Sequence, residues 1–118
     1  MTIYKTFTFD SAHFLPNVPD GHKCKAMHGH TYQLTGFLEG ELEPKLDWVV
    51  DFAELKNVVK PILDTVDHKL INALAGLENT TCENFAIWFW NKIIVKMPML
   101  TKIELKENAT SGAIYEGK

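Results

Sequence analysis

His28-Gly29-His30 sets two imidazoles two residues apart, a spacing that puts both on the same face of an extended chain. The intervening glycine leaves room for an ion or ligand to come close. His13 can supply a third nitrogen if its segment lies beside that of the pair. Three histidines with an open fourth position make the donor set of a catalytic rather than a structural zinc, whereas a chance pair in a strand is the bland alternative. Cys24 lies close by in sequence between Lys23 and Lys25, and positive charge or a metal favours the nucleophilic and basic thiolate. An idle cysteine is the competing reading there, and it is the preferred one for Cys82, which opens an apolar helical segment.

Two further groups carry charge. Asp67-His68 joins a carboxylate to an imidazole that it can orient and make more basic, provided a turn holds these neighbours face to face. A solvated Asp-His pair is the alternative. Glu107 falls on the same strand side as Ile103 and Leu105, where an unpaired carboxylate is costly to bury, so a partner is expected for it. It suits the N–H donors of an aminopyrimidine-like ring; a strand-end glutamate in water is the commoner case. His22 has no second signal near it, and Trp88-Phe89-Trp90 reads as helix core, so neither is placed in the site.

The elements that must position these groups follow from periodicity. Ile3 to Phe9 alternates as a half-buried strand, with His13 just beyond its end, and His28 to Leu38 alternates as a second. Between them, Asn17 to Lys25 holds Pro19 and the Asp20-Gly21 turn signal and reads as a loop carrying Cys24. Trp48-Val49-Val50 predicts a third small strand. Asp51 with Glu54 forms a capping box for a helix over about Phe52 to Leu63, which Pro61 should kink or weaken. Thr80 with Glu83 forms another, opening a helix that Pro98 closes. Thr101 to Glu107 and Ala113 to Tyr115, joined by a Ser111-Gly112 turn, predict a hairpin. With no repeat or linker, the order describes one α+β domain over residues 1–118 built on antiparallel hairpins.

Composition narrows the function classes. A chain of 118 residues, 46% hydrophobic and 23% charged, suits one globular domain, and its small size makes a metal or an oligomeric interface a useful source of stability. Net charge of −3 without a Lys/Arg block argues against nucleic-acid partners. No signal-type or membrane-length apolar run is visible, which predicts a cytoplasmic protein with its two cysteines reduced.

Cys24-Lys25-Ala26-Met27-His28-Gly29-His30 resembles the C-x-x-x-H-G-H signature of the 6-carboxytetrahydropterin synthases, within the wider 6-pyruvoyltetrahydropterin synthase family. Phe9-Asp10-Ser11-Ala12-His13 is similar to that family's F-x-A-A-H segment, Val50 to Lys56 to its I-D-F-x-E-L-K helix start, and Leu63 to Leu70 to its L-D-H-x-x-L region. Leu77 to Asn84 and Lys106-Glu107 fall in family order too. Met27 for leucine, Lys25 for glycine and Asn79 for proline are the departures, and none falls on a proposed ligand.

The resemblance implies a tunnelling fold: an antiparallel four-stranded sheet with two helices on one face, assembling into barrel-shaped trimers paired as homohexamers with active sites between subunits. It implies zinc on His13, His28 and His30, a catalytic Cys24, a catalytic Asp67 and His68 pair, and a pterin ring anchored by Glu107 with help from Thr81. The implied reaction is a lyase step of queuosine (7-deazapurine) biosynthesis, from 7,8-dihydroneopterin triphosphate to 6-carboxy-5,6,7,8-tetrahydropterin, acetaldehyde and triphosphate. A 6-pyruvoyltetrahydropterin synthase is the nearest rival, and the three-residue gap between Cys24 and His28 favours the carboxy product. A non-catalytic zinc-stabilised oligomeric binding module would need neither the thiol nor the Asp-His pair.

Overall fold

The computed structural model describes residues 1–118. Strands β1 (Thr2–His13) and β2 (His28–Glu39) come first, helices α1 (Phe52–Asp64) and α2 (Cys82–Ile94) follow, and β3 (Leu100–Asn108) and β4 (Ser111–Tyr115) close the chain. The four strands form one antiparallel sheet in the order β1-β2-β3-β4. Both helices pack on one face. Phe9, Tyr32, Leu34, Leu38, Ile103 and Leu105 point from the sheet into a core shared with Leu55, Val59 and Leu63 of α1 and Phe85, Phe89 and Ile93 of α2. The helical residues recur every three or four positions, so each helix buries one stripe. Rings dominate the layer: Phe9 stacks on Tyr32 at 5.0 Å between centroids, and Phe85 on Phe89 at 4.6 Å.

Several boundaries differ from those read in the sequence. β1 continues through His13, because the pairing with β2 runs unbroken from Thr2 opposite Glu39 to His13 opposite His28. Trp48-Val49-Val50 is not a strand; it bends across the start of α1, and Trp48 stays exposed. Helix α1 passes through Pro61 to Asp64. Pro61 and Asn57 are both exposed, so the carbonyl that loses its amide partner there can be hydrated. The cap of α2 is Thr81 rather than Thr80: the Thr81 hydroxyl accepts from the Asn84 N–H at 3.1 Å. The β3–β4 turn falls at Ala109-Thr110, and Ser111 and Gly112 are already paired with β3. No helix is long and apolar enough to cross a membrane.

Candidate functional site

The continuous β1–β2 ladder fixes the geometry of the three histidines. His13 lies directly opposite His28, and Ser11 opposite His30, so in an antiparallel pair all three imidazoles project from the same face at the same end of the sheet. Their ring centroids stand 4.5, 5.1 and 4.9 Å apart, and one ring nitrogen from each lies within 4.8 Å of the others.

Hydrogen bonds decide which nitrogen each ring presents. His13 is 1% exposed, and its Nδ1 lies 3.1 Å from the Thr80 carbonyl and 3.0 Å from the Thr80 hydroxyl. That hydroxyl donates to the Phe14 carbonyl, so it meets His13 as an acceptor. Two acceptors at Nδ1 place the proton there and leave Nε2 with a free lone pair. Nε2 of His13 is buried and has no partner within the chain. A buried nitrogen acceptor without a donor is costly, and a cation held with His28 and His30 would satisfy it. His28 repeats the logic, its Nδ1 donating to the Ala26 carbonyl at 2.9 Å. Burial, opposed by the Thr80 carbonyl and reinforced by the other two imidazoles, lowers the pKa of His13 from 6.5 to about 4. Burial also lowers that of His30. Neutral imidazole is the form that binds a metal, so the donor set fits one.

Asp67 and His68 form a second group with Asp10, distinct from the triad. His68 has a left-handed backbone, φ 59°, and this turn brings two adjacent side chains together with Nδ1 of His68 2.8 Å from Oδ1 of Asp67. The turn is pinned to β1 from both sides: the Asp10 N–H donates to Asp67 Oδ1 at 3.0 Å, and the His68 N–H donates to the Asp10 carbonyl at 2.6 Å. The Asp10 N–H first, with His68 adding to it, holds the Asp67 carboxyl below its ordinary range. Those bonds go to the main chain of Asp10 on the outer edge of β1, so the pair sits beside that edge strand and outside the histidine group. His30 and His68 nevertheless border one open cavity of about 520 Å³, which Lys69 and Thr31 also line.

The profile of the 6-pyruvoyl tetrahydropterin synthase family matches residues 2–118. The chain belongs to that family. It is 34% identical to a 6-carboxy-5,6,7,8-tetrahydropterin synthase of Synechocystis over 96% of this chain and 91% of the relative. It is 33% identical to a dihydroneopterin monophosphate aldolase of Pyrococcus furiosus over 86% and 82% of the two chains. The solved structure of the Caenorhabditis elegans 6-pyruvoyl tetrahydropterin synthase superposes with a TM-score of 0.91 at 30% identity, covering 100% of this chain and 96% of that one. The antiparallel sheet with its two helices is therefore the tunnelling fold of this family.

Cys24 is free and half-buried on a 3₁₀ turn, Lys23–Lys25, outside the histidine group. The Lys25 ammonium is engaged by Asp20 at 2.6 Å, so it is committed elsewhere than the thiol. Glu107 is half-buried and finds no ion-pair partner within the chain, contrary to the expectation that burial would demand one. It is the extra residue of a bulge between Lys106–Gly112 and Asn108–Ser111. Burial dominates the proton affinities of His30, Tyr32 and Cys82, and the Glu107 charge opposes that effect on His30 and adds to it on Tyr32 and Cys82. Cys82 donates to the Leu105 carbonyl, and burial pushes its thiol up to about 12, in keeping with a structural role. Thr80 and Asp10 are the residues that sequence reasoning missed: one read as a helix cap, and the other had no partner in view until β1 met the turn at Asp67.

Proposed function

We propose that this chain is a zinc-dependent lyase that converts 7,8-dihydroneopterin triphosphate and water to 6-carboxy-5,6,7,8-tetrahydropterin, acetaldehyde and triphosphate, within the route to queuosine and related 7-deazapurines. The observation that carries the reading is the buried, unpartnered Nε2 of His13 grouped with the nitrogens of His28 and His30. The relative of that name at 34% identity over nearly the whole chain supports the reaction, as does the three-residue gap from Cys24 to His28.

When bound by His13, His28 and His30, zinc supplies Lewis-acid polarisation of oxygens on the substrate side chain. Cys24, as thiolate, takes the proton from the carbon so acidified. Asp67 keeps the proton on Nδ1 of His68, so Nε2 of that ring exchanges protons with the substrate during triphosphate loss and acetaldehyde release. Glu107, a carboxylate with open acceptor capacity, receives the N–H groups of the pterin ring, with help from Thr81 at the start of α2. The triad and the Asp67-His68 pair form separate groups in the chain, which supports a site completed by a second subunit in a homo-oligomer, as trimers paired into a hexamer. We place the enzyme in the cytoplasm.

The test is incubation of zinc-loaded protein and its Cys24→Ala variant with 7,8-dihydroneopterin triphosphate, following products by mass. Acetaldehyde with the 6-carboxy pterin, lost in the variant, is the expected result. A 6-pyruvoyl product without acetaldehyde moves the chain to the sister activity, and no turnover by zinc-loaded oligomer sinks the catalytic reading in favour of a binding module.

A further inference from the structure

The turn that carries Cys24 is built from an unusual part. Pro19-Asp20-Gly21-His22 forms a β-turn, with the His22 N–H donating to the Pro19 carbonyl at 3.0 Å and Gly21 at φ 89°, a value that glycine adopts without strain. From its end the 3₁₀ turn starts, and its N-cap is a histidine. Nδ1 of His22 accepts the Cys24 N–H at 3.1 Å. Caps of this kind normally use the oxygen of Ser, Thr, Asp or Asn, since a short side chain must return to an amide two residues on. On the other side, the Leu15 N–H donates to the Cys24 carbonyl at 2.8 Å, and Lys25 ties the turn back to Asp20 and to the Val18 carbonyl. Both main-chain polar groups of Cys24 are therefore fixed, one by β1's exit and one by the ring of an exposed histidine.

We propose that His22 is the positioning residue of the working thiol: its Nδ1 caps the turn and holds Cys24 in place beside Leu15, just past the end of β1. The inference rests on the reading of Cys24 as the catalytic thiol. His22 itself touches neither metal nor substrate. Without the cap the Leu15 tether remains, so the turn stays attached but pivots, and a reacting group displaced by even a fraction of an ångström loses rate rather than binding.

Two variants of the full-length, zinc-loaded protein test this. His22→Ala removes the acceptor, and His22→Asn restores one that an N-cap position accommodates. Amide hydrogen exchange at Cys24 should quicken by about fivefold in the alanine variant, the worth of one net hydrogen bond, and return to within about twofold of wild type in the asparagine variant. The kcat on 7,8-dihydroneopterin triphosphate should fall about tenfold in His22→Ala with KM nearly unchanged, and recover in His22→Asn. Unchanged exchange at Cys24 in His22→Ala, or an asparagine variant that behaves like alanine in both readouts, overturns the proposal. Exchange needs no turnover: if it follows the cap while wild-type protein is inactive, the cap stands and the reaction proposed above falls alone.

Discussion

Stripped of metal, the protein should lose stability on mild acidification because of one buried ring. In the unfolded chain His13 takes a proton near 6.5, whereas in the folded chain burial delays this to about 4. Between those values the unfolded state binds more protons, so the native state is destabilised as pH falls, and the effect is complete once pH reaches the folded value. Each tenfold difference in proton affinity is about 1.4 kcal/mol, so His13 alone accounts for a loss of about 3 kcal/mol. That is a large share of the roughly 5–15 kcal/mol that stabilises an ordinary domain. Denaturant unfolding of chelator-treated protein from neutral pH down to 4, beside His13→Gln at equal concentration, isolates the effect, because the carboxylates titrate alike in both. The stability gap between the two should change by about 3 kcal/mol over that range, to the disadvantage of the wild type on the acid side. With zinc bound the fall should be steeper, since protons then displace the ion as well. A gap constant to within about 0.5 kcal/mol would refute the argument that Nε2 of His13 is buried as a neutral acceptor.

Other expectations follow from the same geometry. Thr80→Val removes the hydroxyl that accepts from His13 while leaving the Thr80 carbonyl in place, so zinc affinity in competition with a chromophoric chelator should weaken about tenfold. Equal affinity would show that the carbonyl alone orients the ring. Iodoacetamide at mildly alkaline pH should label Cys24 and spare Cys82, whose thiol is pushed up to about 12; peptide mass mapping reads the sites, and labelling of Cys82 at a similar rate contradicts its burial against Leu105. On the proposed reading that subunits share each site, Cys24→Ala and His68→Ala proteins should each be inactive alone and regain activity when unfolded and refolded together, through mixed oligomers whose sites hold both groups intact. No recovery despite mixed assembly would place both arms of the chemistry within one chain.

Local features of the site were legible in the sequence wherever neighbours along the chain do the work. The i, i+2 spacing of His28 and His30 guaranteed a shared face once the segment was extended, and strand alternation made it extended. The left-handed turn at His68 was foreshadowed by the need to bring adjacent Asp67 and His68 side chains together. The capping residue of α2 was misplaced by one position, because Thr80 and Thr81 are equivalent to a propensity rule, and only a competing partner separates them. That partner is His13, 67 residues away, which claims the Thr80 hydroxyl and carbonyl and leaves Thr81 to cap the helix.

The sequence by itself therefore determined which side chains are available and, through period and turn chemistry, which local conformations carry them. Tertiary structure decided the rest: that His13 is the last rung of β1 opposite His28, that its Nδ1 meets Thr80 so that Nε2 is left without a partner in the chain, and that the main chain of Asp10 pins the Asp67-His68 turn to the edge of β1. The physical reason is that hydrogen-bond direction and burial are properties of pairs brought together by packing. No residue carries them alone, so ring orientation and proton placement enter only when distant segments close on one another.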